Sequence, residues 1–140
     1  SRAAGLTIEL TCAPTLPVLP GDPFQLRRLL DNLLDNAIKN TPSGGKIDIS
    51  LECCIRMHEV PQQKGVQIAV RDTGRGIAAE HLPFIFDRFY RIPQAGSPQT
   101  AGSGLGLAIA RSIVRYHGGE IYVESQIDAG TTFTVLLPVQ

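Results

Sequence analysis

Three polar side chains, Asn32, Asn36 and Lys39, interrupt the leucine-rich segment FQLRRLLDNLLDNAIKN at residues 24–40. On a helix turning about 100° per residue they fall within about 60° of one another. Asparagine is a poor helix former, so two of them one turn apart carry a small cost. Two readings account for it. The face is simply solvated, or an amide oxygen ligates a hard cation with the lysine beside it for phosphate. Mg²⁺ takes oxygen ligands and commonly shares them with substrate phosphates, as the second reading requires.

A second constellation is VQIAVRDTGRGIAA, residues 66–79. An alternating run ends in Gly-x-Gly-x-x-Ala at Gly74, Gly76 and Ala79, near the glycine fingerprint of a dinucleotide site. That site also needs an acidic residue about twenty positions on, to hold a ribose. Residues 95–100 contain none. Asp72 also stands directly before the glycines, where a carboxylate would repel a pyrophosphate. A P-loop fails as well. Gly45-Lys46 has Asn40 at the place of the first glycine, and Ile47 where Ser or Thr belongs. Ser103 lies between glycines without the spacing of a nucleophile elbow.

The elements that must position these residues follow from periodicity. LTIEL (6–10) alternates as a strand. Asp22-Pro23 is a helix start, with Asp as N-cap and Pro at the first position. The helix runs to about Asn40, where TPSGG stops it. Leu26, Leu29, Leu30, Leu33, Leu34 and Ala37 form its core stripe. Residues 46–55 and 65–72 alternate as strands, with HEVPQQK (58–64) as the hairpin loop. HLPFIF (81–86) is a short helical piece, and 92–104 a mobile Pro/Gly/Ser/Gln loop. LGLAIARSIVRYH (105–117) is a second helix closed by Gly118-Gly119. EIYVES and TTFTVLLP form a closing hairpin. This order predicts an α/β sandwich with a mixed, largely antiparallel sheet.

The chain has 140 residues, the size of one domain. Thirteen basic and thirteen acidic side chains cancel, so the basic footprint of a nucleic-acid binder is missing. No apolar run approaches a bilayer span, and SRAAGLTIEL is not a signal peptide. Cys12, Cys53 and Cys54 offer no Cys-x-x-Cys spacing. They read as strand-buried thiols in a reducing compartment. The chain opens directly into a strand-like stretch, so the expectation is a domain of a longer protein.

With NLLDNAIKNTP, DTGRGI, FDRFYR and GSGLGLAIARSIVRYHGG in that order, residues 22–138 closely resemble the catalytic, ATP-binding domain of bacterial sensor histidine kinases. The resemblance implies a Bergerat fold: an α/β sandwich of about five strands on about three helices, with a mobile ATP lid over about residues 87–103. It implies an N box over about 29–41, a G1 box at 72–77, an F box at 86–91 and a G2 box at 102–107. Asn36 would then ligate Mg²⁺, with Asn32 assisting one turn earlier and Lys39 reaching the phosphates. Asn40 stands where the family usually has an aromatic residue or His, on the adenine or ribose side. Asp72 would accept from the adenine amino group, and Gly74, Gly76 and Ile77 would line the base. Phe86 and Phe89 would be packing anchors, and Tyr90 would line the pocket. Arg91, ahead of Arg88, would meet the γ-phosphate. Gly102, Gly104, Leu105, Gly106 and Leu107 would cradle phosphate at a helix N-terminus. Thr131, in AGTTF, would sit near adenine. There Asp128 replaces the usual glycine.

The resemblance also implies what lies outside the chain. A histidine kinase phosphorylates a histidine on a separate helical dimerisation domain, and a response regulator follows. His58-Glu59 is similar to an acceptor motif, but Pro61 arrives too early and no Thr precedes it. His58 therefore reads as a surface residue and the acceptor is expected upstream. His117 is placed to meet the last carbonyls of its helix, and His81 has no distinguishing context. The implied setting is cytoplasmic, with this domain a monomer making no membrane contact. A hydrolytic ATPase of the same superfamily, a nucleotide-sensing module and a serine-directed kinase are the rivals. The hydrolytic relatives place a glutamate one turn before the metal asparagine, where this chain has Asn32.

Overall fold

The computed structural model describes residues 5–14, 21–56, 63–90 and 105–138. Strand β1 (Thr7–Cys12) is followed by helix α1 (Pro23–Asn40), then β2 (Lys46–Arg56) and β3 (Gln63–Asp72). A 3-10 helix (Ala79–Phe84), α2 (Gly106–Tyr116), β4 (Glu120–Gln126) and β5 (Gly130–Pro138) complete the order. The five strands make one sheet in the order β1-β2-β3-β5-β4. Only β1–β2 is parallel; the other three pairings are antiparallel. The expected mixed sheet with three helices is the one found.

Local chemistry explains the helix bounds. The Asp22 carboxylate accepts from Phe24 N at 2.9 Å, and Pro23 takes the first helical position, where no N–H is needed. At the other end the Thr41 hydroxyl donates to the Ala37 carbonyl at 2.7 Å. Leu29, Leu33 and Ala37 are fully buried, with Leu26, Leu30, Leu34 and Ile38 half-buried beside them. From α2 come Ala110, Ile113 and Val114, and from the sheet Ile47, Val66, Ile68, Val70, Phe133, Val135 and Leu137. Each large apolar side chain so buried contributes about 1.5–3 kcal/mol.

The two α-helices are pinned at one end by His117. Its Nδ1–H donates to the Ile113 carbonyl at 2.8 Å, while Asp22 N donates to Nε2 at 3.2 Å. The helix-end role expected for His117 is present, and the same ring also holds the start of α1. A Cβ at Gly21 would strike that imidazole.

Some expectations shift. β1 starts one residue later than expected and runs to Cys12, β2 reaches Arg56, and β3 begins at Gln63. Residues 57–62, with His58, lie outside the described residues. Cys12 and Cys53 are exposed, not strand-buried. Alternation places them on the helix side, but the helices pack chiefly over β3, β4 and β5. The far ends of β1 and β2 extend beyond that cover. The Cys54 side chain is outside the described residues. Among the described residues, no helix is long and apolar enough to cross a membrane.

Candidate nucleotide-binding site

Asp72 is the last residue of β3 and only 1% exposed. It faces Thr131 across β5, and Thr131 in turn faces Ser125 across β4, so the three stand at one level of the sheet. Asp72 Oδ1 accepts from Gly74 N at 2.8 Å and from Thr131 N at 3.2 Å. Burial pushes the carboxyl pKa up, and the two N–H bonds oppose it. Both bonds land on one oxygen, so neither consumes Oδ2. A buried carboxylate whose second oxygen has no hydrogen-bond partner among the described residues suits a ligand that donates, such as an exocyclic amine.

The glycine loop after Asp72 is tied on two sides. Toward α1, Arg75 N donates to the Asn40 carbonyl at 3.2 Å. Toward the β4–β5 turn, Asp128 N donates to the Arg75 carbonyl at 2.8 Å. A Cβ at Gly74 would overlap the Asn40 carbonyl, and one at Gly76, where φ is +78°, the Gln126 carbonyl. Gly130, with φ +119°, passes equally close to the Asp72 backbone carbonyl. These glycines let three backbone segments converge behind Asp72. Asp128 holds φ +65°, which explains why glycine suits that position. Gly74→Ala should lower stability by about 1–3 kcal/mol through overpacking. A fall in the urea midpoint measures it, and an unchanged midpoint would show that the loop yields without cost.

The convergence joins the glycine loop to the helix carrying Asn32, Asn36 and Lys39. Both asparagines are half-buried, and both Nδ2 atoms are buried with no hydrogen-bond partner among the described residues. Leaving such a donor unpaired costs about 1–3 kcal/mol. The simply solvated face is therefore not what forms; only Lys39 is exposed. An amide whose nitrogen turns inward presents its oxygen elsewhere. Among the described residues, no three His, Cys, Asp or Glu side chains gather into a metal cage. The donors on offer are amide oxygens, hard enough for Mg²⁺ and too few to hold it alone. A cation shared with phosphates fits that set.

Phe86 is the packing anchor expected, edge-on to Phe133 at 6.1 Å, with Arg111 lying 5.4 Å over its ring. Phe89 is not an anchor: it is 69% exposed, and its backbone is left-handed at φ +65°. Tyr90 stacks near Phe84 and meets His81 Nδ1 at 2.5 Å, which gives His81 a context the sequence did not suggest. Arg88 is exposed. Arg91, Gly102, Gly104 and the expected lid beyond Tyr90 lie outside the described residues. Leu105 forms the N-cap of α2 without a side-chain hydrogen bond, and Gly106 opens the helix. Leu107 packs on the core. Ile77 is buried, and its N–H donates to Ser125 Oγ at 2.7 Å. Sequence reading passed over Ser125. Its signal was a polar residue in the inward register of Ile121 and Val123.

The sequence matches the family model "Histidine kinase-, DNA gyrase B-, and HSP90-like ATPase" over residues 21–140. The chain belongs to that family. It is 45% identical over 119 residues to the sensor histidine kinase RppB of Synechocystis sp., covering 85% of this chain and 24% of RppB. The chain thus spans about a quarter of the length of such relatives. Among solved structures, the mycobacterial sensor histidine kinase MprB aligns with a TM-score of 0.75 at 30% identity, covering 96% of this chain and 84% of that one. Full-length ShkA in complex with AMPPNP aligns with a TM-score of 0.76 at 28% identity, covering 96% of this chain and 26% of that one.

Proposed function

We propose that this domain binds ATP with Mg²⁺ and presents the γ-phosphate to a histidine on a separate helical dimerisation domain, within a two-component kinase. The observation that carries the reading is the Asn40–Arg75 hydrogen bond, which joins the loop after a buried carboxylate to a helix with two asparagine amide nitrogens that have no partner among the described residues. Asp72 selects the adenine amino group, with Thr131, Gly74, Gly76 and Ile77 around the base. Asn36, assisted by Asn32, would hold Mg²⁺, which when bound neutralises charge on the phosphate oxygens. Lys39 and Arg91, with Arg88 nearby, offset charge on the phosphates. Tyr90 and Asn40 flank the nucleotide. Gly102, Gly104 and the start of α2 at Leu105, Gly106 and Leu107 would offer backbone N–H groups to phosphate.

Transfer is favoured over hydrolysis. The helical position one turn before Asn36 holds Asn32, whose amide cannot take a proton from water. AMPPNP, an ATP analogue, in the ShkA complex is consistent with the ligand proposed. A response regulator would take the phosphoryl group next, in the cytoplasm, and the isolated domain would be monomeric.

Titration calorimetry with ATP, with and without Mg²⁺, tests the reading. Binding that strengthens with Mg²⁺, with very slow hydrolysis, is expected. Folded protein that binds no nucleotide would overturn it, and brisk multiple turnover would favour a hydrolytic ATPase.

A further inference from the structure

We infer that Ser125 is a positioning residue for base selection, acting through the Thr131 hydroxyl. The inference rests on the adenine-nucleotide reading above and deepens it.

The Ser125 hydroxyl meets three groups. Ile77 N donates to it at 2.7 Å, the Gly130 carbonyl lies 3.1 Å away, and Thr131 Oγ1 lies 2.7 Å away. A serine hydroxyl has one proton and two lone pairs. All three contacts are hydrogen bonds under a single assignment. Ser125 accepts from Ile77, donates to Gly130 and accepts from Thr131. The Thr131 hydroxyl has then spent its only proton inside the protein. Toward a ligand it is an acceptor and nothing else.

Asp72 stands opposite Thr131 in the sheet, and its carboxylate also accepts only. The two side chains therefore ask the same thing of a base edge: an N–H donor. A 6-amino purine supplies it at the 6-position, whereas a 6-oxo purine brings a carbonyl there against two acceptors and carries its N–H on N1 instead. Were Ser125 absent, the Thr131 hydroxyl could rotate and donate to that carbonyl. Ser125 also fixes Ile77, the residue that closes the glycine loop, so one side chain sets both the polarity and the wall of the base site. It touches no substrate itself.

The test compares ATP with ITP, which has a 6-carbonyl and a proton on N1 where ATP has a 6-amino group and a bare N1, by calorimetry on the parent domain and its variants. Ser125→Ala should lower the ATP-over-ITP preference by about tenfold. Ser125→Thr, which keeps the hydroxyl, should retain the parent preference. A purely structural loss would weaken both nucleotides alike and leave their ratio unchanged. In a Thr131→Val background, which has no hydroxyl to orient, Ser125→Ala should leave the ratio where Thr131→Val set it. A parent that binds neither nucleotide overturns the nucleotide reading and this inference with it. A parent that binds ATP, with Ser125→Ala keeping the parent ratio, overturns this inference alone. Thermal melts identify an unfolded variant, in which case Ser125→Thr against Thr131→Val decides. Loss of the preference in the threonine variant to the level of Thr131→Val would count against Ser125.

Discussion

Asp72→Asn should reduce ATP affinity by about a hundredfold and leave the domain folded. The Asn oxygen can still accept from Gly74 N and Thr131 N, so the local backbone survives. What changes is the other end of the side chain. An acceptor oxygen becomes an NH₂ donor, facing the donor of an adenine amino group. Losing a charge-assisted hydrogen bond and leaving a buried donor unpaired together cost about 3 kcal/mol, roughly a hundredfold in Kd. Calorimetry measures it, and parental affinity in the variant would remove Asp72 from base recognition.

The same substitution has a pH signature in the free domain. Burial raises the Asp72 carboxyl above its unfolded value, against the pull of two backbone N–H bonds. The folded state thus holds its proton more tightly than the unfolded chain does. Its contribution to stability is full below the ordinary carboxylate range and is lost as pH rises through the raised native value. Asp72→Asn has no such proton. The difference in urea midpoint between variant and parent should move in favour of the variant as pH rises from acid toward neutral. A difference independent of pH would contradict the raised value.

Asn36→Ala should abolish Mg²⁺-dependent strengthening of ATP binding, a loss of about a hundredfold or more, and make the free domain more stable. The Asn36 Nδ2 is buried without a partner among the described residues, and removing such a donor relieves a cost of about 1–3 kcal/mol. Alanine is also the better helix former, by about half a kcal/mol. Against these stands the packing of the lost amide, so the net expectation is about 1 kcal/mol, or roughly 3 °C in Tm. A structural asparagine would give the opposite pair, unchanged binding and a lower Tm. The opposed signs identify a residue kept for its ligand and not for the fold.

Much of the fold was legible because burial writes itself as period. The 24–40 stripe, the alternating runs and the Asp22-Pro23 start all follow from one-dimensional patterns, and each lies within a residue or two of its place. Asn32, Asn36 and Asp72 were legible for the opposite reason: each breaks the pattern around it. The cysteines misled because alternation gives the side of a sheet and not whether a helix covers that stretch. Phe89 misled because an aromatic residue type marks neither its exposure nor its left-handed backbone. Ser125 was hidden because its meaning lies in two cross-strand neighbours that only the β4–β5–β3 register supplies.

If the nucleotide and cation bind as proposed, the Asn40 carbonyl, held by Arg75 N, connects the base end of the site to the metal end. In such an arrangement the two ligands are thermodynamically linked. Whatever factor Mg²⁺ contributes to nucleotide affinity, nucleotide must return to Mg²⁺ affinity. A base that seats badly against Asp72 would then weaken the grip on a cation held at Asn36, one turn back along α1 from Asn40. On the proposed assignment, discrimination at the purine would be felt at the phosphates.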